Sequence, residues 1–133
     1  MTPQEIFDTV ARHLFTQGTR AYDEIIDQCQ YRGPGGTKCA VGCLIPDEAY
    51  SRDMEGWPVE NVVVSFGNNS AEPRPGFPVW LEDNASLLAC LQAVHDRKES
   101  WDSEDTLHSA LAKVARRCNL SAGVLTGLKW GSK

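Results

Sequence analysis

No stretch of this 133-residue chain approaches the roughly 18 consecutive apolar residues that a membrane-spanning helix requires. The opening Met1-Thr2-Pro3-Gln4-Glu5 lacks the basic and apolar regions of a secretory leader, so the protein is expected to stay in the cytoplasm, with no membrane partner. There is no internal repeat and no low-complexity block. Acidic residues are missing beyond Asp105, where Lys113, Arg116, Arg117, Lys129 and Lys133 follow; over the whole chain 18 acids outweigh 13 bases. The resulting net charge of −5 repels nucleic acid at long range. The basic end reads as cations complementing a helix C-terminal dipole. Five cysteines, an odd number without a leader, argue for reduced thiols and against a disulfide framework.

What is present suits one globular domain, residues 1–133. Hydrophobic residues make up 41% and charged residues 23%, and a chain of this length buries about two thirds of its unfolded surface. Thr2, Pro3 and Glu5 form a capping box, and Ile6, Phe7, Val10, Ala11, Leu14 and Phe15 recur at helical spacing up to Gly18. That pattern predicts a helix over 3–17. Residues 59–66 are β-branched yet also fit a helical stripe, and periodicity does not decide between strand and helix. Residues 67–78 form a loop by composition. Asp83 or Asn84 should cap a helix carrying Leu87, Leu88, Leu91 and Val94 and ending near His95-Asp96, and Ser103 should open another that Asn119 stops. The expected fold class is α+β: a mainly helical single domain with a short β-hairpin.

The most specific segment runs from Tyr31 to Glu48 and contains Gly33-Pro34-Gly35-Gly36, Cys39, Cys43 and the stop Pro46-Asp47-Glu48. Proline fixes φ and the glycines supply positive φ, so the flanks 29–32 and 37–40 are expected to pair as the hairpin. Residues 40–45 are small and apolar and suit a buried turn, with Gly42 allowing close approach and Cys39 and Cys43 on one face. No complete catalytic or metal-binding motif is present. A zinc set would draw on Cys29, Cys39, Cys43 and His95, but only one cysteine pair has suitable spacing, so no metal and no cofactor are assigned. A thiol enzyme would use Cys39 or Cys43 as nucleophile, His95 as base and Asp96 as orienter. Against it, His95 and Asp96 are neighbours at a helix end and should point apart.

Two further readings involve nucleotides or DNA. The glycine-rich turn lacks phosphate-loop spacing, although its backbone N–H groups with Arg32 and Lys38 would suit a nucleotide phosphate. Residues 111–128 are spaced like a helix-turn-helix, but Gly123 and Gly127 weaken the second helix and Lys129 is its only cation.

The run from Tyr31 to Glu48, followed by Met54-Glu55-Gly56, by Leu91-Gln92-Ala93-Val94-His95-Asp96 and by Trp101, resembles a family of small uncharacterised proteins of tailed phages, prophages and their bacterial hosts. The resemblance covers most of the chain, including Phe7-Asp8-Thr9-Val10, and least the basic tail. It brings no activity and no functional residue; it implies a setting in which small accessory proteins bind and block host proteins, defence components included. The expected function is therefore non-catalytic occlusion of a host macromolecule. Tyr31, Arg32, Asp47, Glu48 and Trp57 are the candidate binding residues, since recognition usually sits on turns held by a scaffold. A nucleotide binder or thiol enzyme using Cys39 and His95 is the alternative, and helix-turn-helix regulation is third.

Overall fold

A computed structural model describes residues 1–131, so the part of the basic tail at Lys133 lies outside the described residues. Helix α1, Pro3–Gln17, starts at the expected capping box: Thr2 Oγ1 accepts from Glu5 N–H at 3.1 Å and Glu5 Oε1 accepts from Thr2 N–H at 2.9 Å. Gly18 ends it in the left-handed conformation at φ 69°. All six apolar residues of its stripe are buried. Burying each of the larger ones contributes about 2 kcal/mol.

Strands β1, Tyr22–Asp23, and β2, Gln28–Cys29, form the antiparallel hairpin, with Tyr22 opposite Cys29 and Asp23 opposite Gln28. This corrects the position expected from the glycine-rich turn. Around Pro34–Gly36, which winds as one 3-10 turn with Gly35 and Gly36 at φ 69° and 79°, only the single bridge Arg32 to Lys38 forms. The ladder stops because its next groups are taken: Cys39 N–H still donates to the Tyr31 carbonyl at 3.2 Å, but the Tyr31 N–H goes to Glu55 and the Cys39 carbonyl accepts the Cys43 N–H, while Gln17 and His13 on α1 hold the outer edge of Lys38.

Residues 40–45 form the buried turn expected, with Gly42–Leu44 as a 3-10 segment. Residues 59–66 resolve as helix α2, Val59–Phe66, whose Val59, Val62 and Val63 face inward. The 67–78 loop is anchored by Arg74, which donates to the carbonyls of Ala49 and Tyr50, and by buried Phe77. A short helix α3, Trp80–Asp83, runs into α4, Ala85–Asp96. Asn84 occupies the cap position between them, but its amide donates back to the Trp80 carbonyl, so the side chain does not cap α4. Helix α5, Glu104–Arg117, is capped by Ser103, and Asn119 reverses the chain at φ 55°. Beyond it lies one 3-10 turn, Gly123–Leu125, in place of the second helix that DNA recognition would need. The glycines withhold the helix propensity that a recognition helix requires. No helix among the described residues is long and apolar enough to cross a membrane.

Candidate functional site

The Tyr31-to-Glu48 segment folds as an internal brace. Glu55 receives the Tyr31 N–H at 2.7 Å, the Arg32 N–H at 3.1 Å and the Tyr50 hydroxyl at 2.5 Å. The Tyr31 hydroxyl donates to the Trp57 carbonyl. The Arg32 guanidinium donates to the Ile45 carbonyl at 2.8 Å, pairs with Asp47 at 2.7 Å and lies over the Tyr50 ring, 4.5 Å from its centroid. Tyr31 is only 6% exposed, and its phenol is raised above its ordinary value by burial first. Tyr31 and Arg32 were expected on an exposed binding surface; the structure buries Tyr31 and leaves Arg32 half-buried, because their polar groups tie one loop to the next. Asp47, Glu48 and Trp57 stay exposed.

The thiols that the alternative enzyme reading would use are also packed away. Cys39 is fully buried, its Sγ accepts the Gly42 N–H at 3.2 Å, and burial drives its thiol far above the ordinary range. Cys43 donates to the Ala40 carbonyl at 3.1 Å and is pushed up to about 12 by burial. Both are neutral thiols at physiological pH and poor nucleophiles. No hydrogen bond joins either to His95 among the described residues.

The thiol beside His95 is Cys29, and one ligand-type atom from each of Cys29, His95 and Asp96 falls within 4.8 Å of the others. His95 and Asp96, expected to diverge, meet with Nδ1 2.8 Å from Oδ1. Helix α4 stops at Asp96 and Arg97 is extended, while Gln92 donates to the same carboxylate oxygen at 2.8 Å and draws it back along the helix. The buried imidazole has both nitrogens occupied. Nε2 accepts the Ala21 N–H at 2.9 Å, which places the ring proton on Nδ1, facing Asp96. A histidine held so has no lone pair free to take a proton from Cys29. A metal on Nδ1 would force the ring proton onto Nε2, against the Ala21 N–H, so these residues do not fit a metal centre. Burial, with the Asp96 charge second and Arg20 opposing, pushes Cys29 up to about 11. The cluster therefore fastens the chain before β1 to the end of α4.

Its outer side opens into a pocket of about 340 Å3 lined by Gln28, Gln30, Trp57, Pro58, Gln92 and Asp96. Asp96 Oδ2 and the Gln28 amide have no hydrogen-bond partner among the described residues, so the pocket presents an unshared carboxylate oxygen and a free amide beside an exposed indole. Gln28 belongs to the hairpin, whose turn carries Ile25 at 95% and Ile26 at 53% exposure. The sequence reading missed Gln28, Gln30, Gln92 and both isoleucines. Ile25 and Ile26, with Tyr22 and Cys29 at helical spacing, read equally as the end of a short helix or the lead into a strand, so the sequence did not mark them as exposed. A second, wider groove of about 760 Å3 lies between α4 and α5, floored by small residues such as Ala89, Ala93 and Ala110.

No known protein family matches this chain, and no curated protein and no solved structure is similar to it.

Proposed function

We propose that this protein is a non-catalytic binding protein that docks on another protein through the face formed by the β1–β2 turn and the Trp57 turn. The observation that carries the reading is where apolar surface is left in water. Of the six large apolar side chains exposed among the described residues, Ile25, Ile26 and Trp57, at 95%, 53% and 57%, sit on two turns whose Gln28, Gly56 and Trp57 line one pocket, whereas Met1, Val64 and Val79 are exposed elsewhere. An isoleucine as exposed as Ile25 gains little from burial in the free chain, and tryptophan is among the residue types enriched in interface hot spots. The neutral, buried thiols and the doubly occupied His95 favour this reading over a thiol enzyme. The resemblance of the Tyr31-to-Glu48 segment to small proteins of tailed phages supplies the setting: an accessory protein in the host cytoplasm that occludes a host macromolecule, a defence component among the candidates.

Affinity capture with a tagged chain from a bacterial host tests this. The expected result is one stoichiometric protein partner, lost in the Ile25→Asp, Trp57→Ala double variant although that variant unfolds at the same temperature as the parent chain. A partner retained at full yield by the double variant contradicts the assignment of the face.

A further inference from the structure

The docking face has a chemical preference, and the argument for it rests on the binding reading of that face. Between Tyr22 and Tyr31 the chain carries Asp23, Glu24 and Asp27 and no base. The pocket beside this turn is lined by one charged residue, Asp96, and by no cation. Arg20 is already engaged: its guanidinium lies 4.1 Å over the Tyr22 ring and donates to the Asp96 main-chain carbonyl at 3.2 Å, and no hydrogen bond or ion pair joins it to the carboxylate among the described residues. Asp96 Oδ1 is fixed by His95 and Gln92, so the carboxylate is held in place before any ligand arrives, with Oδ2 free.

We infer that this pocket receives the guanidinium of an arginine presented by a basic segment of the protein partner. The Trp57 indole offers a face for the planar cation to stack on, Asp96 Oδ2 offers a charged acceptor, and the Gln28 and Gln30 carbonyl oxygens offer neutral ones. Several acceptors spread around one opening suit the fan of five guanidinium N–H donors better than the compact head of a lysine. The exposed apolar turn at Ile25-Ile26 belongs to the same hairpin as Gln28, and Asp23, Glu24 and Asp27 steer a basic surface toward it.

The test uses N-acetylarginine amide as probe and N-acetylcitrulline amide, its uncharged near-isostere, as comparison, each titrated into the full chain and followed by amide and indole nitrogen correlation spectra. Saturable shifts of the Trp57 indole and of the Gln28, Gln30 and Asp96 amides with the arginine probe are expected, with citrulline weaker by at least about tenfold. Asp96→Asn, which keeps an acceptor at Oδ1 for His95 and Gln92, should weaken arginine by a similar factor. Equal response to the two probes, shifts elsewhere only, or no saturable shift overturns the inference, and the comparison on the unsubstituted chain decides this even if the variant fails to fold. An arginine probe that fails while Ile25→Asp, Trp57→Ala still abolishes capture removes the cation from the pocket and leaves the docking face. A probe that binds while the double variant keeps its partner supports the pocket and removes the face.

Discussion

Gly42 lies against the backbone of Tyr31: a Cβ there would stand 2.0 Å from the Tyr31 carbonyl oxygen and 2.8 Å from its carbon. Neither atom can swing aside, since Cys39 N–H is bonded to that same oxygen at 3.2 Å. Gly35, seven residues earlier, has open space around it but sits at φ 69°. The two glycines are therefore required for different reasons. Gly42→Ala should cost about 3 kcal/mol through overpacking of the brace. Gly35→Ala should cost about 1 kcal/mol through left-handed backbone strain alone. Denaturant unfolding of the two variants checks both, and equal costs would contradict the close-approach account. At the same scale, Arg32 and Tyr31 show how far residue type leads a reading of function: a tyrosine and an arginine beside a turn suggest recognition, yet Glu55, 23 and 24 residues away in sequence, makes them structural.

At the scale of elements, local chemistry determined most boundaries. The capping box of α1, the Ser103 cap of α5 and the apolar stripes of both were legible because the capping and apolar positions sit within one or two turns of each other. Removing those hydroxyls should act locally: Thr2→Ala and Ser103→Ala should each cost about 1 kcal/mol in the unfolding free energy. A loss near zero in both would mean that packing alone sets these helix starts. The hairpin was legible as an element but not in its place, since pairing around Gly33–Gly36 stops where Glu55 takes the Tyr31 N–H and Cys43 the Cys39 carbonyl, and the first of these is a long-range competition that turn propensity does not encode. Helix α2 was undecidable from four valines in eight residues and was settled by burial of Val59, Val62 and Val63 together. The site was less legible still. His95 and Asp96 were recognised as residues, but their mutual contact depends on Gln92, and the thiol beside them is Cys29, brought there by β2.

For the whole molecule, the buried neutral acids and bases set its response to pH. Tyr31 and Tyr50 are raised above their ordinary 10.0 chiefly by burial, and Cys29 and Cys43 are pushed from 9.0 up to about 11 and about 12. In each case the unfolded chain releases its proton first, so this stability is complete below about pH 9 and drains away as the pH rises above it. Denaturant midpoints should therefore fall between about pH 9 and pH 11, with phenolate absorbance from Tyr31 and Tyr50 appearing only as the chain unfolds. On the acid side His13, whose ring bonds the Lys38 carbonyl at 2.8 Å, is lowered by burial from 6.5. Its contribution is present above that value and is lost as the pH falls below it.

The brace at 31–48 and the docking face at 22–30 and 56–58 are neighbours with different work: one holds the loops together and the other meets a partner. Hydrogen–deuterium exchange of the free chain against its captured complex separates them most directly. The account predicts new protection concentrated at residues 24–30 and 56–58, with residues 33–38 and 46–48 unchanged. Protection gained at 33–38 or 46–48, with the Ile25 and Trp57 turns exchanging as freely as before, would contradict it.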